Sequence, residues 1–469
     1  MLEKVDVLKC LNTKDVCDTR KLLQEYLQIE LIKSNGQNLF YYETTFGYYK
    51  KIEKRKENKF LREFINCEQQ FFVKSAQLAE IARIIIELPD KFIDFREVFN
   101  PNIINLKNGA YDLSTGKLLP HTQNLVFTDY INAEYMDDPE LNLEYAENFY
   151  SFIQRAFPGD RGKLSRELLI EMIAFSICNV SRVKKSIWFL GRSNAGKSLL
   201  AELLKFIIPN HTSLTFPDFS DKFRLNMMTG KRLNVCDEVL MAKIKNLDVL
   251  KRLIAEQDIV VEHKGTQAEV VSIFAKLLFT ANDLPSFAEF DAEAVVNRML
   301  VLYFAHSIPQ HEWDFELLDK MKEEVDVIVS LAIRELPKLI KNKFKFTEPE
   351  DSVQILQAYK EEQNSIALFI EEECELNPKE KIHYKEFLDA YSDFCKNNAI
   401  KPVADSIAKQ VVAKINGIKV CRFRKNGRSL YGFIGLQIGK TLERMEPLVQ
   451  ESEDIAFESV ELEEKQNEN

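Results

Sequence analysis

Residues Ile187 to Leu190 form a short apolar run, the next eight read Gly191-Arg192-Ser193-Asn194-Ala195-Gly196-Lys197-Ser198, and Leu199-Leu200 open another apolar segment. A buried strand that runs through a glycine-bracketed turn into a helix constrains everything around it. Such a strand belongs in a mostly parallel sheet covered on both faces, so an α/β fold is expected. The spacing G-x-x-x-x-G-K-[ST] also gives the turn a chemistry. Its glycines let backbone N–H groups turn inward around phosphate oxygens, Lys197 reaches the β/γ-phosphates and the Ser198 hydroxyl ligates Mg²⁺. Lys197 is read as a solvent-facing loop charge that the fold does not need.

Three further apolar runs, Arg232–Cys236, Ala275–Thr280 and Met299–Phe304, have the length and polar bounds of buried parallel strands and complete a core from about 181 to 306. The run 232–236 ends in Asp237-Glu238, at the strand end where a doubly wound sheet binds its ligands. Asp237 is assigned to the metal shell and Glu238 to orienting the attacking water. Asn282, after the next strand, is placed to sense the γ-phosphate. Arg298 immediately precedes the last strand and suits transition-state charge only if it reaches the phosphoryl group, which a neighbouring subunit allows. Asp258–Gln267 reads as a hairpin with His263 and Lys264 at its tip, either a channel contact to a phosphate backbone or a plain surface turn.

Outside the core, residues 1–98 mix helical periods with an aromatic, strand-like patch, Leu39–Tyr49. A basic stretch, Lys50 to Arg62, follows and is either a DNA grip or a solvated helix face. Residues 99–180 hold two short strands around Asn108-Gly109 and Thr115-Gly116, then a helical segment from Leu141 to about Val180. A helical region, 311–382, leads to a last unit, 383–438, with helices His383–Asn397 and Asp405–Ile415 and strands Lys419–Arg424 and Ser429–Leu436. Asn426-Gly427 marks the hairpin between them. From Lys396 to Tyr431 nine basic residues face one acid, Asp405. Helices followed by a basic hairpin are the pattern of a winged helix, in which Arg422, Arg424, Lys425 and Arg428 neutralise phosphates; a structural hairpin is the alternative.

The net charge of −10 argues against nucleic-acid binding only until it is located. Residues 440–469 carry ten acids against Lys440, Arg444 and Lys465, so most of the excess lies in a polar tail, 439–469, expected to be disordered or weakly helical. The eight cysteines show no C-x-x-C spacing and read as free thiols of a reducing cytoplasm. No uncharged apolar run approaches the roughly 18–20 residues of a membrane span.

The ordered set of phosphate loop, Asp237-Glu238, hairpin, Thr280-Ala281-Asn282-Asp283 and Asn297-Arg298 resembles the superfamily-three helicases of the AAA+ class. Within them it is most similar to the phage and plasmid primase-helicase group, to which Asn108-Gly109-x-x-Asp112-Leu113-x-Thr115-Gly116 and the basic winged helix add. The resemblance covers about residues 99–438. It implies an AAA+ core with a parallel sheet, preceded by small α+β and helical domains and followed by a winged helix. It further implies ATP and Mg²⁺ as cofactors, a ring that is a homo-oligomer, expected to be a hexamer, and 3′ to 5′ movement on single-stranded DNA. Lys184 or Lys185 and Arg252 become further phosphate-facing residues reaching across the subunit interface. Larger members carry a primase-polymerase domain ahead of this region, and fewer than 100 residues precede it here. The expectation is therefore an ATP-driven replicative DNA helicase or initiator without primase activity, encoded by a phage or mobile element, and the resemblance would make its reducing cytoplasm that of a bacterial host. An ATP-switched origin-binding loader and a P-loop kinase are the other readings, and the hairpin and basic wing argue against the kinase.

Overall fold

The computed structural model describes residues 4–95, 100–237, 247–262, 268–285, 292–398, 400, 402–403, 405–413, 415–425 and 427–439. The chain forms two units. One runs through Asn364 and takes in Val403–Val411; the other comprises Ser365–Pro402 and the chain from Val412 onward.

In the first unit the Asp18 carboxylate accepts from the N–H groups of Arg20 and Lys21 and starts α1 (Thr19–Leu27). The aromatic patch becomes an antiparallel sheet of β1 (Ile32–Ser34), β2 (Leu39–Glu43) and β3 (Tyr48–Lys51), followed by α2 (Glu57–Arg62) and α3 (Ser75–Glu87). The basic stretch does not make one helix face. It is divided among the end of β3, a turn with Arg55 at φ 81°, and α2, and Arg62 donates to the carbonyls of Gln70 and Val73. A second antiparallel sheet follows, β4 (Ile103–Leu106), β5 (Gly109–Asp112) and β6 (Lys117–Leu119). The two sheets are tied together: Tyr49 N–H donates to Phe127 O at 2.7 Å and Asn105 Nδ2 to Phe46 O at 2.8 Å.

Helices α4 (Glu147–Ala156) and α5 (Lys163–Ile177) lead into β7 (Ser186–Gly191), α6 (Lys197–Ile207), β8 (His211–Thr212), α7 (Lys222–Leu225), β9 (Leu233–Cys236) and α8 (Leu247–Ile254). The hairpin β10 (Asp258–Val261) and β11 (Glu269–Ser272) precedes β12 (Lys276–Ala281), α9 (Ala292–Val296) and β13 (Met299–Phe304); α10 (Leu317–Glu323), α11 (Val325–Lys341) and α12 (Glu350–Glu373) follow. The four expected strands form one parallel sheet, order β13-β7-β12-β9-β8, with the short β8 at its edge as an addition.

Alternation along β7 explains why the sheet is covered on both faces. Ile187 and Phe189 enter the core built with α4, α5, α6 and α11, whereas Trp188 and Leu190 enter a second core with Ile259 and Val261 of the hairpin. Trp188 stacks on Phe279 at 4.3 Å, which lies parallel to Phe216 at 4.9 Å. Such ring pairs contribute about 0.5–1.5 kcal/mol beyond their buried area.

Two buried ion pairs pin the amino ends of the central strands. Arg232 forms a two-pronged pair with Asp129, 2.6 and 2.9 Å, and also donates to Ile177 O and Asn179 Oδ1. Lys276 Nζ sits 2.6 Å from Glu256 Oε1 and donates to Val180 O, while Glu256 Oε2 accepts from Arg182 N. Both pairs hold the chain that enters β7.

The second unit begins inside α12. Its elements are β14 (Cys374–Glu375), β15 (Lys381–His383), α13 (Tyr384–Asn397), β16 (Lys419–Lys425), β17 (Arg428–Ile434) and β18 (Gln437–Ile438). The helix α14 (Asp405–Ala413) corresponds to the second expected helix, and most of it groups with the first unit. β16 and β17 pair from Lys419↔Ile434 to Lys425↔Arg428, and β15, not foreseen, adds to the other edge of β17. Asn426 and the acidic stretch from Lys440 lie outside the described residues. Among the described residues no helix is long and apolar enough to cross a membrane.

Candidate functional site

The loop after β7 needs its glycines for two different reasons. Gly191 has φ 125°, and a Cβ there would lie 2.2 Å from Phe304 O; Gly196 has φ 92°, and a Cβ would lie 2.4 Å from the Phe152 ring. Between them Asn194 adopts φ 58°, and its carbonyl accepts from Ile308 N at 2.8 Å, while Ser307 Oγ donates to Ser193 O at 2.8 Å. Ala195 is buried. The cap of α6, Gly196, has no side chain to occupy the first N–H groups of the helix, which leaves them available to an anion.

Lys197 differs from its expected solvent-facing state. It is only 8 % exposed, and Nζ donates to Gly191 O and Arg192 O at 2.6 Å and to Asn282 Oδ1 at 3.0 Å. The loop curls around its own lysine, and burial holds the lysine pKa below its ordinary value. These three acceptors are neutral. A buried ammonium held by neutral acceptors, beside a helix N-terminus, fits an anionic phosphate chain.

Asn282 follows β12, and Asp237 follows β9. Parallel pairing of β7, β12 and β9 brings the loop, Asn282 and Asp237 to the carboxyl ends of three adjacent strands, a span of about 10 Å at ordinary strand spacing. Asp237 Oδ1 accepts from Thr280 Oγ1 at 2.5 Å and lies 3.5 Å from Ser198 Oγ. The Ser198 hydroxyl and the Asp237 carboxylate thus form an oxygen pair of the kind Mg²⁺ takes. Thr280 escaped the sequence reading as a functional residue, although it stands in the quoted Thr280-Ala281-Asn282-Asp283 run; a strand-end hydroxyl aimed at a neighbouring strand leaves no mark in spacing. A cleft of about 330 Å³ opens beside the loop, lined by Arg192, Ser193, Asn282, Asp283 and Tyr303 among others. Glu238 lies outside the described residues.

Arg298 stands at the other end of the sheet. Its carbonyl accepts from Ser186 N, the first residue of β7, at 2.8 Å, and its guanidinium donates to Ala294 O. The six residues of β7 separate it from its own loop by roughly 16 Å. Lys185 is at the same end, donating to Asn297 O at 2.9 Å, and Lys184 adjoins it with φ 58°. Arg252 pairs with Asp248 one turn earlier on α8, 2.9 Å, with both side chains largely exposed. None of these four bases lines the cleft.

The hairpin exists as expected, but its second strand is Glu269–Ser272, with Asp258 opposite Ser272 and Val261 opposite Glu269. Lys222 pairs with Glu262 at 3.3 Å at its distal end. His263 and Lys264 lie outside the described residues. In the second unit, Arg422 and Arg424 are exposed. Arg422 donates weakly to Ser429 O at 3.4 Å and lies 6.0 Å from the Tyr431 ring centre. Lys425 and Arg428 are partners in the ladder beside the turn.

Residues 189–298, which span the loop, Asp237, Asn282 and Arg298, match a family of unknown function (DUF5906). Residues 19–158 match a family described as D5 N terminal like. Among solved structures, the A form apo structure of the NrS-1 C terminal region is 14% identical with a TM-score of 0.46, covering 88% of this chain and 98% of that chain. The apo structure of NrS-1 C terminal region (305-718) has the same identity and coverages with a TM-score of 0.45. The D5 match supports a phage replication protein of the primase-helicase type.

Proposed function

We propose that this chain is an ATP-driven DNA helicase or initiator of the superfamily-three AAA+ kind, working as a ring in phage or mobile-element replication. The observation that carries the reading is the meeting of Lys197, Ser198, Asp237 and Asn282 at the ends of three neighbouring parallel strands. A kinase shares the loop. The hairpin β10–β11 and the basic strands β16 and β17 have no part in a kinase's work and favour DNA.

Mg²⁺-bound ATP would supply the scissile anhydride bond. On this reading the chain's residues divide the work as follows. The loop N–H groups and Lys197 bind the phosphates, and Lys197 exchanges its neutral acceptors for anionic oxygen. Ser198 and Asp237 hold the metal, and Thr280 fixes the Asp237 carboxylate. Asn282 reports on the phosphate end because it is bonded to the lysine that phosphate would recruit. Glu238 orients the attacking water. Arg298, roughly a strand's length from its own loop, serves the loop of an adjacent subunit, so the site is shared.

The second unit supports DNA binding through the basic hairpin that follows α13 and α14 in the chain, with Arg422 and Arg424 exposed on β16. ATP turnover measured with and without single-stranded DNA tests the proposal. Stimulation by DNA is expected, and turnover indifferent to DNA would turn the reading toward a kinase.

A further inference from the structure

Immediately beyond the strap that holds the phosphate loop, the chain exposes two aromatic rings. Ile308 N and Ser307 Oγ bind the loop carbonyls of Asn194 and Ser193. Five residues on, Trp313 Nε1 donates to the carbonyl of that same Ile308 at 2.9 Å. The indole is thereby tethered to the loop through one residue. Phe315 meets it edge to face, centroids 6.3 Å apart at 82°, and is 88 % exposed, while Trp313 is 39 % exposed. The turn between them is preformed: Asp314 Oδ1 accepts from Glu316 N at 2.9 Å, and Asp314 Oδ2 is 2.8 Å from Lys320 Nζ on α10.

The direction of α10 places the pair at the right end of α6. Lys322, near the carboxyl end of α10, lies over Phe206 near the carboxyl end of α6. Before the other end of α10, Trp313 is bonded to Ile308, which is itself bonded to Asn194 of the loop, so the rings lie toward the amino end of α6, where the loop is. The indole is held in place close to the phosphate loop, and the Phe315 ring, almost wholly in solvent, leaves an open face beside it for a base to stack on.

We propose that Trp313 and Phe315 form the base subsite of the nucleotide site, taking the nucleobase of a nucleoside triphosphate whose phosphates occupy the Gly191–Ser198 loop. This rests on the phosphate-loop reading above. The indole N–H is already used by Ile308, so recognition is by stacking, which every base offers, and selectivity among bases is expected to be weak.

Trp313 is one of two tryptophans in the chain, and the other, Trp188, is buried against Phe279. Tryptophan emission of the full chain with Mg²⁺ is therefore a direct readout. ATP is expected to change the emission, and inorganic tripolyphosphate is expected to compete with ATP without producing that change. Phe315→Ala removes only an exposed ring; it should weaken ATP binding roughly tenfold, as loss of one stacking partner does, and leave tripolyphosphate affinity as it was. Parental ATP affinity in Phe315→Ala, or identical emission with ATP and tripolyphosphate, would overturn the base subsite and leave the loop reading standing. An emission change that follows protein concentration without nucleotide would assign the rings to a second copy of the chain and overturn it as well. If neither ATP nor tripolyphosphate binds the parental chain, the loop reading fails and takes this inference with it.

Discussion

Lys197 Nζ and Asn282 Oδ1 are 3.0 Å apart, and this single bond joins the loop after β7 to the end of β12. Any anion that draws the ammonium forward also releases the amide. Asn282→Ala is therefore expected to keep nucleotide affinity within a few-fold and to lower ATP turnover by about tenfold or more. Lys197→Ala should lose both binding and turnover. Calorimetric binding beside steady-state turnover separates the two variants, and equal losses of binding would remove the sensing role of Asn282.

Glu238→Gln should bind ATP normally and hydrolyse it at least about a hundredfold more slowly, the usual contribution of a positioned base. Single-turnover hydrolysis with pre-bound ATP checks this. A parental rate would reassign the water-orienting carboxylate.

The position of Arg298 beside Ser186 leads to a mixing experiment. Arg298→Ala alone should turn over ATP about a thousandfold more slowly, within the range for a missing arginine finger. Mixed with Lys197→Ala it should regain activity wherever an intact loop meets an intact arginine. A monomer that hydrolyses ATP at the full rate contradicts the shared site.

For the basic hairpin, replacing Arg422, Arg424, Lys425 and Arg428 by alanine is expected to flatten the salt dependence of duplex binding. The plot of log affinity against log salt should lose up to about four counterions' worth of slope. Basal ATP turnover should persist. An unchanged slope would make the hairpin structural.

Asp129 gives a prediction about acid. Burial works against its charge, but the Arg232 guanidinium, with Asn210, outweighs burial and holds the carboxyl below the ordinary aspartate range. A carboxyl with a depressed folded pKa contributes stability above its unfolded value, about 3.9, and loses it as the pH falls through the folded pKa. Asp129→Asn should cost about 3–5 kcal/mol at neutral pH, because it leaves Arg232 buried without its anion. The gap between the two proteins should narrow below about pH 4, which urea unfolding across pH 3–7 measures.

The central sheet was legible because each strand is a short apolar run with a polar end, and Met299–Phe304 coincides with β13. Asp237 and Asn282 were found by the same rule, as polar residues just past those runs. What pattern does not carry is which strand neighbours which: β12 lies between β7 and β9 although it follows both, and only that order sets Asn282 beside Lys197. The burial of Lys197 was missed because a lysine in a loop looks the same whether it faces water or the loop's own carbonyls. β8, two residues long, and β15, three, are too short to show a period. The solvated-helix-face reading of Lys50–Arg62 failed for a related reason: charge is visible in sequence, but its division among a strand, a turn and a helix is not.

The contact between Gly196 and Phe152 bears on how such a chain is inherited. Phe152 belongs to the stretch matched as D5 N terminal like and Gly196 to the stretch matched by the other family, and the ring occupies the space that any larger residue at 196 would need. Asp129 and Arg232 are divided between the same two stretches. Recombination that exchanged one stretch for a distant counterpart would bring together halves shaped for other partners, with a ring against a side chain at one joint and an unmatched charge at the other. Exchange of both stretches together is the change that these two contacts tolerate.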